Sequence, residues 1–193
     1  MLEPSKENKT IARTAAGVFK GAPRVVRYWD EPKESAVDLL ISKGSPQEGV
    51  TSFATIGLSD SPLQEDGAEL GVRVELVGAC EAKFENFDNA LSTAALCVIN
   101  SGWEATPGTV FPGVLKLYDC SSTMEHLLLV PPNLWEEEFE TLYLDSKTVA
   151  WLLVVPISEA EYRYVESEGS EKLEELFEDK QIDVFDLNRA SVI

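Results

Sequence analysis

Two uninterrupted apolar runs constrain this chain more than anything else in it: residues 127–130 (LLLV) and 149–155 (VAWLLVV). Each stops at proline, at Pro131-Pro132 and at Pro156. Proline cannot donate to a sheet ladder, so a short apolar run closed by one reads as a buried strand. The longest strongly apolar stretch, 149–157, falls short of the about 20 residues that cross a bilayer. These runs belong inside a sheet. A chain of 193 residues buries roughly 70% of its unfolded surface, and 44% apolar with 26% charged residues is ordinary globular composition. A hydrophobic core is therefore available without disulfide staples. Cys80, Cys97 and Cys120 are odd in number, widely spaced and free of any CxxC pair. Buried thiols in a reducing compartment are expected.

Hydrophobic spacing supplies the other elements. Residues 5–20 read as a helix, with Ser5 as cap, Ile11, Ala15, Val18 and Phe19 at helical intervals, and Gly21 and Pro23 as the stop. Strands are expected at 25–29, 36–41, 50–56 and 71–78. In the last, Val72, Val74 and Leu76 alternate against Arg73, Glu75 and Val77, as in a half-buried strand. With 59–67 as a loop, strands 50–56 and 71–78 pair as antiparallel neighbours. A helical stripe runs through Phe84, Phe87, Leu91, Ala94, Ala95 and Val98, giving a helix over 84–101 ended by Gly102, then a loop over 103–112. Ser158 and Glu161 have capping-box spacing, opening a helix to Glu168. Gly169 breaks it before a last helix over 170–179, with Leu173, Leu176 and Phe177 on one face. Helices and strands interleave without strict βαβ alternation. The expectation is one α+β domain with a mixed or mainly antiparallel β-sheet, residues 1–24 being a helical part of the same domain as 25–193.

Motifs that carry chemistry are missing. There is no GxSxG elbow, no GxxxxGK[ST] phosphate loop and no GxGxxG after a strand. His126 is the single histidine, which removes multi-histidine metal sites. A hydrolase built from His126 with Cys120, Ser121 or Ser122 is disfavoured, because a histidine against a buried strand is more often a satisfied edge residue. No DxDxDG loop marks a calcium site. No catalytic residue, metal or cofactor is expected, and the chain is not expected to be an enzyme. Residues 1–9 are polar with no apolar region behind them, so no signal peptide is read and a cytoplasmic location is expected.

Charge is the functional signal. Sixteen bases face 34 acids, a net charge of −18. Such a surface repels nucleic-acid phosphates and anionic membranes, and speeds encounter with a basic partner. The distribution is uneven. Residues 1–27 are net +4, whereas residues 133–186 carry sixteen acids against Lys147, Arg163, Lys172 and Lys180, a net −12. A solvated helix face is the plain account of that run. The functional account is a docking surface for a basic protein, for which Trp135, Glu136, Glu137, Glu138, Glu140, Glu159, Glu161, Glu166 and Glu168 are the candidates. Aromatics interleave with these acids as anchors inside a charged rim would, and equally as core residues would.

Five segments in order then resemble a known family: TSFATIGLSDSPL (51–63), GVRVELVGAC (71–80), LLLVPP (127–132), WLLVVPISEAEYRYVESEGSEKLEELF (151–177) and DVFDLNRASVI (183–193). Together they resemble the suppressor-of-fused-like (SUFU) domain family over about residues 25–193, and within it the small stand-alone bacterial members of YqcF type, described as antitoxins or immunity proteins. The resemblance implies a single α+β domain that binds and blocks a cognate toxin, typically a nuclease, in the cytoplasm of the producing cell. An acidic regulator or scaffold with a non-toxin partner is the alternative it leaves. Gly57, Asp60 and Pro62 read as turn chemistry, and Asn188-Arg189 as a lock that holds the C-terminus to the sheet. The oligomeric state is open.

Overall fold

A computed structural model describes residues 4–65, 68–136 and 138–193. Ser5 caps α1 (Lys6–Phe19), accepting from Asn8 N–H at 3.0 Å. The strands are β1 (Arg24–Trp29), β2 (Ala36–Lys43), β3 (Val50–Ile56), β4 (Gln64–Glu65), β5 (Ala68–Glu69), β6 (Arg73–Glu81), β7 (Val110–Phe111), β8 (His126–Val130), β9 (Leu142–Tyr143) and β10 (Thr148–Ile157). The remaining helices are α2 (Phe87–Ser101), α3 (Glu159–Glu168) and α4 (Ser170–Lys180). The main sheet runs β1-β2-β3-β6-β10-β8-β7, with β9 also on β10. Every pairing in it is antiparallel except β6 with β10. The α+β class and the mixed sheet are as the sequence implies, including β3 antiparallel to β6.

Helices cover both faces of the sheet, which explains the uninterrupted apolar runs. Successive side chains of a strand point to opposite faces. Leu76, Leu127, Leu129, Leu152 and Val154 join Phe87, Leu91, Ala94 and Val98 of α2 in one core. Val77, Leu128, Val130, Leu153 and Val155 join Ile11, Ala15 and Phe19 of α1 and Leu173 and Phe177 of α4 in the other. On the α2 side the layers meet at Gly78. A Cβ there would lie 2.8 Å from Val154 Cγ2 and 3.1 Å from the Phe87 ring, so only glycine lets the helix settle this close.

Several boundaries move. Asn86 takes a left-handed conformation (φ 66°), so α2 begins at Phe87 and not at residue 84. The expected loop at 103–112 contains β7, paired to Leu127 and Leu128. The expected loop at 59–67 overlaps a 3-10 turn at Leu58–Asp60 and holds β4, which pairs with β5 just beyond it, while residues 66–67 lie outside the described residues. Strand β6 is not half-buried: Glu75 and Val77 are both fully enclosed, and Val72, expected on its buried face, falls just before the strand and is 41% exposed. Its place between β3 and β10, under helices on both faces, is the reason.

Candidate partner-binding surface

The acidic third of the chain builds one layer. Helices α3 and α4, the segment 134–144 and α1 all pack on the same face of the sheet through Phe19, Trp135, Phe139, Leu142, Tyr162, Tyr164, Val165 and Leu173. The net +4 and net −12 segments are thus neighbours. Lys20 pairs with Glu136 at 3.2 Å and Lys6 with Asp145 at 3.7 Å. Glu7 accepts from Ser146 N–H and Oγ–H at 2.8 and 2.7 Å, which holds its carboxyl below the usual range. Between α1 and the 134–144 segment lies a groove of about 830 Å³ lined by Arg13, Thr14, Gly17, Val18, Glu136, Glu138, Glu140 and Leu142. Glu136, Glu138 and Glu140 come together at its rim, all exposed.

Other candidates fare differently. Glu137 lies outside the described residues. Glu166 and Glu168 are exposed on α3, and Glu168 pairs with Lys172 one turn on. Glu159 is partly exposed and accepts from Arg163 at 2.8 Å, the main reason its carboxyl sits below the usual range. Two candidates do not face solvent. Glu161 is fully buried and Trp135 is 8% exposed. Trp135 packs against a tilted Phe19 ring and edge-on against Phe139 (centroids 5.1 Å in each case) and donates its Nε1–H to Ser52 Oγ at 3.0 Å. Its amphipathic ring is spent on the core.

Glu161 sits at the centre of a closed polar knot. Both halves of the capping box are present, Ser158 N–H donating to Glu161 Oε2 at 2.9 Å and Glu161 N–H to Ser158 Oγ at 3.2 Å. Arg189 forks onto the two carboxylate oxygens at 2.7 and 2.9 Å, donates to Pro156 O at 3.0 Å and lies over the Phe177 ring. Asn188 Oδ1 meanwhile accepts from Ser122 N–H and Oγ–H, both at 2.9 Å. Asn188 and Arg189 fasten the C-terminal segment to the α3 start and to the loop before β8.

Nothing among the described residues assembles a nucleophile. His126 is 5% exposed. Its Nδ1 accepts from Gly113 N–H at 2.9 Å, which assigns the ring proton to Nε2, 3.0 Å from Glu159 Oε2. Both nitrogens are engaged away from Ser121 and Ser122, whose hydroxyls donate to Leu187 O and Asn188. Burial pushes the Cys80 and Cys120 thiols up to about 12 and about 11, far from reactive thiolates. Glu125, His126 and Glu159 bring donor atoms within 4.8 Å of one another. A metal-bound imidazole donates from its free nitrogen, whereas here that nitrogen accepts, and Lys116 and Arg163 already hold the carboxylates at 2.7 and 2.8 Å. The set does not suit a cation.

Sequence reasoning missed a second knot, around Glu75. This buried carboxylate accepts from Gly57 N–H (2.9 Å), Ser59 N–H (3.1 Å), Ser59 Oγ–H (2.6 Å) and Thr55 Oγ1–H (2.5 Å). Lys147 reaches Ser59 Oγ at 2.9 Å and Asp60 at 2.5 Å, and Asn8 of α1 donates to Asp60 at 2.8 Å. Segment 51–63 is thereby a turn wrapped on a carboxylate. Burial raises the Glu75 carboxyl above its ordinary 4.5, against the pull of these hydrogen bonds. A raised folded value means the folded chain binds the proton more tightly than the unfolded one. The Glu75 contribution is therefore fullest below 4.5 and falls away as pH rises through the folded value. Urea unfolding between about pH 4 and pH 8 should show that decline in the parent and a shallower one in Glu75→Gln. Identical profiles would contradict it.

The model of the suppressor of fused protein (SUFU) family matches residues 33–190. Immunity protein YqcF of Bacillus subtilis (strain 168) is 44% identical over 189 residues, covering 98% of both chains. A crystal structure of a SUFU homologue from Neisseria gonorrhoeae FA 1090 superposes with a TM-score of 0.67 at 18% identity, over 96% of each chain. The Sufu-Fu complex structure gives 0.67 at 16% identity over 98% of this chain and 93% of that one. Drosophila Suppressor of Fused gives 0.62 at 16% identity, matching 94% of this chain and 50% of its own.

Proposed function

The chain belongs to the SUFU family, and from that premise we propose that it is an immunity protein, which binds a cognate toxin domain and neutralises it by covering it. The observation that carries this reading is the relative of 44% identity, matched almost end to end and named an immunity protein. The acidic groove supports the mechanism. A nuclease toxin needs a basic cleft to hold phosphates. The rim of Glu136, Glu138 and Glu140 offers such a cleft a complementary field, and occupying it excludes substrate. The protein works without cofactor or turnover, in the cytoplasm of the cell that makes the toxin. No helix among the described residues is long and apolar enough to cross a membrane.

Co-expression tests the reading. A bacterial host given the toxin domain encoded beside this chain should die without the chain and grow with it. Equal killing in both cases overturns the proposal. Physical association without protection would favour an acidic regulator of some other kind.

A further inference from the structure

We infer that β1 is a self-pairing edge, through which two copies of this chain join into one continuous antiparallel sheet. The inference does not depend on the immunity reading. β1 ends the sheet, with β2 on one side and, among the described residues, no strand on the other. Exposed edges invite added strands, and proteins usually blunt them with charged side chains, proline, bulges or a covering element; of the two arginines on β1, Arg27 is already paired with Asp38 of its own chain. β1 (RVVRYW) contains no proline. Two of the few large apolar side chains left exposed among the described residues lie on it, Val25 at 54% and Trp29 at 51%.

The occupant follows from the ladder. Asp30 N–H donates to Ser35 O at 3.0 Å, so residue 30 faces β2. By the alternation of an antiparallel pair, Val25, Arg27 and Trp29 direct their own N–H and C=O groups outward. A second β1 related by a twofold axis normal to the sheet can meet all three, with Arg27 opposite Arg27 of the second copy and Val25 opposite its Trp29. This one register pairs every outward backbone group of β1. It also matches the side chains. Val25 lies against Trp29 of the second copy on one face, and Val26 against its Tyr28 on the other. Arg24 meets Asp30 of the second copy. The facing Arg27 pair is neutralised beforehand, because each guanidinium forks onto its own Asp38 at 2.7 and 2.8 Å. The interface is isologous, as a twofold dimer requires.

A chain of net charge −18 repels its copy, and salt screens that repulsion. Self-association is therefore expected to strengthen with salt. Sedimentation velocity from about 5 to 500 μM, at about 0.05 and 0.5 M NaCl, should show a monomer–dimer equilibrium whose dissociation constant falls at least about threefold in the higher salt. Exposed Val25→Lys with Trp29→Lys should leave unfolding unchanged and the chain monomeric. Register is read by oxidation. Residues opposed in a hydrogen-bonded pair have Cα atoms about 5.5 Å apart, within disulfide reach. Arg27→Cys should therefore cross-link to its twin on exposure to oxidant, and Tyr28→Cys, which faces Val26, should not. A monomer under all these conditions overturns the inference. So does a dimer that survives the double lysine change, or one in which Arg27→Cys fails to cross-link.

Discussion

Arg189→Met is expected to cost about 3–5 kcal/mol of folding stability, the loss seen when one partner of a buried ion pair is removed. Glu161 is fully enclosed and Arg189 is 8% exposed. Without the guanidinium, the carboxylate keeps the Ser158 and Val192 N–H groups, at 2.9 and 3.0 Å, but no cation. The Pro156 carbonyl loses its donor as well. For a chain of this size the melting temperature should fall by about 6–20 °C. The double variant Glu161→Gln with Arg189→Met removes the orphaned charge while keeping an acceptor for the capping box. It should be more stable than Arg189→Met alone. Chemical denaturation of the two variants and the parent measures the coupling directly. A loss below about 1 kcal/mol in Arg189→Met would mean that the pair is no stronger than a surface salt bridge.

Reversing Glu136, Glu138 and Glu140 together to lysine should lower the association rate with the proposed toxin partner by about 10- to 1000-fold at low salt. The three side chains are exposed at the groove rim, so folding stability should change little. Glu166→Lys with Glu168→Lys, on α3, is the comparison that separates a local rim from a diffuse field. Stopped-flow association, with circular dichroism to confirm folding, gives both readings. Unchanged rates in the triple variant would place the contact surface elsewhere on the molecule.

Much of this architecture is legible in the residues alone. Proline-closed apolar runs announce buried strands, the Ser158–Glu161 spacing announces a helix start, and the charge asymmetry announces an acidic third. Which distant segments meet is not written locally. Nothing near α1 says that this basic helix lies beside the acids of 134–144, so the charge of that run overstates the bare field there. Glu75 sits in an apparently alternating strand, and only the wrapping of Gly57 and Ser59 around it reveals a buried carboxylate. Glu161 shows the same blindness from another side. Its capping-box position already turns it back toward Ser158, yet its partner Arg189 lies 28 residues on. Asn188-Arg189 reads as a lock, but what it locks to depends on tertiary contacts. Several family segments prove to be the residues that tie the fold together, and the groove rim falls between them.

The most direct test of the proposed role is to titrate the purified chain into a nucleic-acid cleavage assay of a nuclease toxin domain encoded beside it, at about 0.05 and 0.5 M salt. Stoichiometric inhibition is predicted, with association slowing at least about tenfold in the higher salt as the acidic field is screened. Undiminished cleavage at every ratio of chain to toxin, in both salts, would contradict it.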